Sequence, residues 1–318
     1  MPISFKFIIF QLLIIGPFMI GMFGKKFFKT PEDIARRIVL LNLCLFDPIL
    51  ILWTVWGLKI TKELIFFPLA GLCIVIVGFL VGYFIAFFFN IPQKSKATFT
   101  ISASLSNHGF TLGGFICYLL LGEKGLALSY IFLTYFVFFL FLFIFPYARW
   151  NQSRQANISK SKMIFEAVIN IRNIPLYTTI LGLTLQKLNI QRFPENMPVD
   201  IMLLVSISVY YFSLGMTYTL TKELEYKKAN FFLIIIKFLI TPAFTMLLIL
   251  FLPIDSTMKS VTIIQSFMPV AIFSVVVSLL FELDTRMASN LFVYNTIFFL
   301  IFVFPLLYFF FDELRLIF

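Results

Sequence analysis

The chain has 318 residues, of which 61% are hydrophobic and only 13% charged, with a formal net charge of +10 and a mean hydropathy of +1.00. No soluble chain of this length could hide so much apolar side chain, whereas a lipid solvent lets it face outward. The predicted fold class is therefore an all-α integral membrane protein. The positive charge needs no nucleic-acid partner, since basic loops over an anionic leaflet account for it.

At about twenty residues per crossing, the apolar runs predict ten transmembrane helices. The first is 3–23. It sits where a signal sequence would, but its apolar run is too long, its start carries only Lys6, and no A-x-A site follows, so it reads as a retained span. The second, 37–58, carries Asp47-Pro48 near mid-depth and ends in Gly57-Leu-Lys-Ile-Thr-Lys-Glu-Leu64. An ionisable group at that depth is costly unless it has a partner or a task. Asp47 is open to three readings: a proton-coupling site, half of an ion pair, or a neutral buried acid. The third span is 65–89.

The fourth, 97–120, is interrupted by Ser102-Ala-Ser-Leu-Ser-Asn107-His108-Gly109-Phe110-Thr111-Leu-Gly113-Gly114. Glycines and hydrogen-bonding side chains at mid-depth predict a broken helix, whose ends expose N–H groups to anions and carbonyls to cations. The plainer alternative is close helix packing through small residues. His108 is the only histidine, and a lone histidine is more often a packing residue than a proton carrier. The fifth span, 126–148, ends in Phe143-Ile-Phe-Pro146.

Residues 149–172 form the one long polar stretch, with room for a surface helix near 163–171. The sixth span is 173–190, and the seventh, 199–220, runs into Gly215-Met-Thr-Tyr-Thr-Leu-Thr-Lys-Glu-Leu224. The eighth, 230–252, contains Lys237, whose stem could also snorkel to the interface. The ninth, 259–281, is interrupted by Gln265-Ser266-Phe-Met-Pro269, where the proline removes a backbone donor. The tenth, 287–311, carries Phe302-Val-Phe-Pro305.

The two TKEL segments and the two Phe-Pro segments repeat at one offset of about 160 residues. Five spans per half is an odd number, so the second copy enters the membrane inverted, as in many secondary transporters. The predicted organisation is 1–148 as the first repeat, 149–172 as a cytoplasmic linker and 173–318 as the second repeat. Basic residues cluster on one side, in Lys25 through Arg37, Lys94 and Lys96, Arg149 through Arg172, and Lys222 through Lys228 with Arg286. That side should be cytoplasmic, placing both termini outside a cell membrane crossed many times. Cys44, Cys73 and Cys117 sit in apolar segments with no disulfide or metal spacing. An intramembrane enzyme would need HExxH or paired aspartates, and the chain has neither.

In order, these segments resemble the auxin efflux carrier family, which includes plant PIN carriers and bacterial malate and malonate permeases. The resemblance lies in Ser106-Asn107-His108-Gly109-Phe110, Gly122-Glu-Lys-Gly125, Arg172-Asn173-Ile-Pro175 with Gly182, Lys237 to Pro242, Phe267-Met268-Pro269 and Phe304-Pro305. It implies two inverted five-helix repeats, PIN-like and close to the bile-acid symporters. Broken helices four and nine would cross at the site. It further implies a scaffold from the first two helices of each half, and a moving domain from the last three. Where the family often has a crossover proline in the fourth span, this chain has Gly114.

The expected activity is a permease or efflux carrier, moving a small organic anion such as a mono- or dicarboxylate by an elevator-like motion. Substrate would contact Asn107, Ser106, Gly109, Thr111, Gln265 and Pro269, with Asp47, Lys237 and His108 as coupling or ion-pair groups. Membrane lipid is the surrounding partner, and coupling to protons and a homodimer stay open. No cofactor or metal is expected. A sodium-coupled bile-acid-type symporter and a transporter-fold sensor are the alternatives.

Overall fold

The computed structural model describes residues 3–59, 61–88, 93–108, 112–151, 174–193, 196–218, 226–311 and 313. Among these the chain is helical, with no strand and one isolated backbone bridge. Among the described residues, five stretches have the residue count and apolarity of a membrane crossing, the third of them bent: Asp33–Trp56, Lys62–Phe88, Gly113–Phe132, Lys227–Phe251 and Thr285–Phe309. Their large apolar side chains extend to the surface, as on α4 (Phe66–Phe88), where Leu80, Phe84 and Phe87 are exposed. In lipid that exposure is favourable.

Proline shapes many of these helices. Four π-helical turns, Asn42–Phe46, Leu140–Ile144, Ile236–Ile240 and Phe299–Val303, each stop one residue short of a residue-proline pair: Asp47-Pro48, Phe145-Pro146, Thr241-Pro242 and Phe304-Pro305. A proline ring collides with the carbonyl four residues back, and a widened turn relieves the collision while keeping the helix continuous. The resulting rods are α2 (Pro31–Leu41) into α3 (Asp47–Trp56), α7 (Tyr135–Phe139) into α8 (Phe145–Trp150), α11 (Lys227–Ile235) into α12 (Thr241–Phe251), and α15 (Thr285–Phe298) into α16 (Phe304–Phe309).

Gly113–Phe132, α6, is not a straight rod. Gly122 has φ 67° and ψ −157°, a conformation that glycine adopts without a Cβ clash. A Cβ on Gly125 would strike the Cys117 carbonyl, eight residues earlier, so the chain doubles back at Gly122. Each arm is then about 15 Å or less, too short to cross a bilayer alone. The predicted loop at 122–125 is thus a tight kink, and the helix of the fifth span starts at its far side.

The chain divides into two compact units, and neither is a sequence half. Unit 1 comprises Met1–Thr61, Gly109–Tyr130 and Asn170–Leu220. It contains α1 (Ile3–Gly24), α2, α3, α9 (Ile174–Lys187) and α10 (Val199–Thr217). α1 and α10 touch through paired notches: a Cβ on Gly21 would meet the Phe212 carbonyl, and one on Gly215 would meet the Phe18 carbonyl. Unit 2 comprises Lys62–His108, Ile131–Ile169 and Thr221–Phe318. It contains α4, α5 (Gln93–Ser104), α7, α8, α11, α12, α13 (Ser256–Ser266), α14 (Ile272–Leu280), α15 and α16. α5 lies tight on α4, where a Cβ at Gly78 or Gly82 would collide with Ala103, and the Ser104 hydroxyl donates to the Val75 carbonyl at 2.8 Å.

The linker beyond Asn151, with its expected surface helix, and the second TKEL segment lie outside the described residues.

Candidate functional site

Two helix breaks meet inside unit 2. α5 stops at Ser104, and residues 105–108 are not helical. α13 stops at Ser266, and α14 starts at Ile272. The two gaps pair as a short antiparallel bridge, Ser106 with Val270. The Asn107 N–H donates to the Pro269 carbonyl at 2.7 Å, and the Ala271 N–H donates to the Leu105 carbonyl at 3.0 Å. Each break thus gives the other the main-chain partners it lost on leaving the helix.

Side chains fix the junction. Asn295 on α15 accepts the Val270 N–H at 3.0 Å through Oδ1. Lys237, in the π-helical turn before α12, donates to the Ser106 hydroxyl at 2.8 Å and to the Ser104 carbonyl at 3.4 Å. It is 1% exposed. That position is the C-terminal end of α5, where unpaired carbonyls concentrate negative charge. His108 Nδ1 and the Tyr135 hydroxyl lie 2.6 Å apart, and Phe132 stands edge-on to the imidazole. Asn107 is 6% exposed and Gln265, the penultimate residue of α13, is fully buried.

Ser106, Asn107, His108, Lys237, Gln265 and Pro269 therefore belong to one buried neighbourhood. Gly109 and Thr111 lie outside the described residues. Pro269 contributes its carbonyl, and that carbonyl is already held by Asn107. Asn295 and Tyr135 were not singled out from sequence. Asn295 is an amide inside the tenth apolar run, and that anomaly was the available signal.

Asp47 belongs to unit 1 and to a different network. It accepts from the Ser206 hydroxyl at 2.7 Å and from the Tyr210 hydroxyl. Asn42 donates to the Ser206 hydroxyl at 2.8 Å and to its carbonyl at 3.2 Å. The wide turn Asn42–Phe46 brings Asn42 and Asp47 to the same pair of side chains on α10. Also in unit 1, Arg192 lies over the Trp53 ring at 4.0 Å and reaches Glu123 at 3.7 Å.

The junction supplies carbonyls, amides, hydroxyls and one ammonium. That chemistry can bind and release a polar solute. The described residues contain no cluster of metal-ligating side chains. A profile of the family described as membrane transport protein matches residues 6–308. A search of curated proteins finds no match.

Proposed function

Because the chain belongs to the membrane transport protein family, the auxin efflux carrier family, we propose that this multi-pass membrane transporter carries small organic anions by elevator-like alternating access. The observation that carries this reading is the pairing of the two breaks, 105–108 with 269–271, in a buried junction. Broken helices from corresponding places in inverted halves are where secondary transporters bind substrate. α14 begins directly after one break, so its first N–H groups have no partners within the helix. Such groups and the Asn107 amide suit a carboxylate. The Lys237 ammonium adds positive potential beside Ser106.

The units support the elevator part of the reading. The first two predicted spans of each half fall in unit 1, and most of the remaining helices fall in unit 2. Ser106, Asn107, Gln265 and Pro269 would then travel with unit 2.

The test is uptake of labelled mono- and dicarboxylates into proteoliposomes, with sodium and without it. Asn107→Ala should weaken apparent affinity on the order of tenfold or more, because a charge-assisted bond contributes about 1.5–3 kcal/mol. The variant should still fold, because the main-chain bond from residue 107 to Pro269 remains. Unchanged affinity would move the site away from the junction. Sodium-dependent uptake would favour the bile-acid-type symporter, and absence of any flux would favour a sensor.

A further inference from the structure

Lys237 occupies a place that chemistry normally gives to a metal ion. Its Nζ binds a hydroxyl, that of Ser106, and a main-chain carbonyl, that of Ser104. Neutral oxygens at the carbonyl end of a broken helix are the donors that hold coupling cations in secondary transporters, and hard cations take such oxygens. An isolated buried ammonium is costly unless it is well partnered. Two carboxylates of unit 2 are engaged at the starts of helices: Asp255 caps α13 through the Met258 N–H, and Asp284 caps α15 through the Met287 N–H and accepts from Ser95. The titratable neighbour of Lys237 is His108, whose Nδ1 is engaged by Tyr135.

We propose that the Lys237 ammonium is a tethered replacement for a coupling cation: it fills an alkali-ion site at the C-terminal end of α5 and so makes the junction independent of sodium and potassium. The consequence for transport rests on the transporter reading above. The ion site itself does not, and it can be tested without substrate. Lys237 itself lies within a widened turn. The Ile236–Ile240 segment precedes Thr241-Pro242, and the side chain it carries ends at the α5 terminus.

The experiment is thermal unfolding of purified protein in sodium, lithium, potassium and choline chlorides at equal ionic strength. The native chain should melt at one temperature in all four. Lys237→Ala should melt several degrees lower in choline and recover saturably in at least one alkali salt, as mass action on a vacated site requires. Lys237→Met, which fills the space without charge or donors, should melt low and recover in none. Should Lys237→Ala fail to fold, Lys237→Gln takes its place with the same expectation. Saturable alkali stabilisation of the native chain overturns the proposal, as does an alanine or glutamine variant with no ion-specific recovery. A chain that passes this test yet moves no carboxylate in proteoliposomes keeps the ion site and loses the transport reading.

Discussion

Asp47 is a carboxylate 1% exposed that accepts hydrogen bonds from two hydroxyls, those of Ser206 and Tyr210. A buried charge satisfied by hydroxyls is well suited to gaining and losing a proton, because neither form must break an ion pair. If Asp47 couples protons to transport, Asp47→Asn should abolish uptake driven by a pH gradient and leave counterflow intact. Asp47→Ala removes the acceptor altogether. It strands two buried donors and should cost about 1–3 kcal/mol in a denaturation measurement. Normal pH-driven uptake by Asp47→Asn would end the coupling idea. The residue itself was legible as a charge at mid-depth. Its partners were not, because Ser206 and Tyr210 lie about 160 positions away and no local period connects them. Asn42 was hidden for another reason. Five residues in an α-helix turn through roughly 500°, which would set Asn42 and Asp47 well apart on the helix face. The π-helical turn brings both to Ser206.

At the level of elements, the sequence marks prolines clearly but not what the helix does about them. Pro48, Pro146, Pro242 and Pro305 all lie inside predicted spans, and each follows a widened turn in a continuing helix. Phe145-Pro146 and Phe304-Pro305 lie at the offset of the repeated Phe-Pro segments, and both follow a π turn, which supports the proposed repeat. The break in the fourth run was legible because glycine, serine and asparagine replace apolar side chains there, and that in the ninth because Pro269 follows Gln265 and Ser266. The bond between them was not, since backbone pairing leaves no residue signature. Glycine packing was equally silent. Gly215 opened one copy of the repeat, and nothing connected it with Gly21. A side chain at either position would enter the other helix's backbone. Gly21→Val and Gly215→Val should each lower thermal stability by about 1–3 kcal/mol, as overpacking does. The double variant should cost less than the sum, because one intrusion already separates α1 from α10. Strict additivity would mean that the two notches act independently.

At the level of the whole molecule, the first TKEL segment gains a position. The chain passes from unit 1 to unit 2 between Thr61 and Lys62, inside that segment, 61–64. A linear reading predicts two halves and a linker at 149–172; that each compact unit draws from both halves follows from the family resemblance and not from any local pattern, because it depends on pairing between distant spans. The proposed inverted arrangement fixes an orientation that can be measured. Basic residues of the linker, such as Arg154, Lys160 and Lys162, would lie in the cytoplasm together with Lys25, Lys26 and Lys29. Ten crossings, an even number, would then return the chain end to the side on which it began. In a variant lacking Cys44, Cys73 and Cys117, a cysteine replacing Ser159 should resist a membrane-impermeant maleimide in intact cells and react after permeabilisation. A cysteine replacing Arg315 should react in intact cells. An even number of crossings between the two sites would make them report the same side, and labelling of both from outside would overturn the ten-span arrangement along with the inverted repeat built on it.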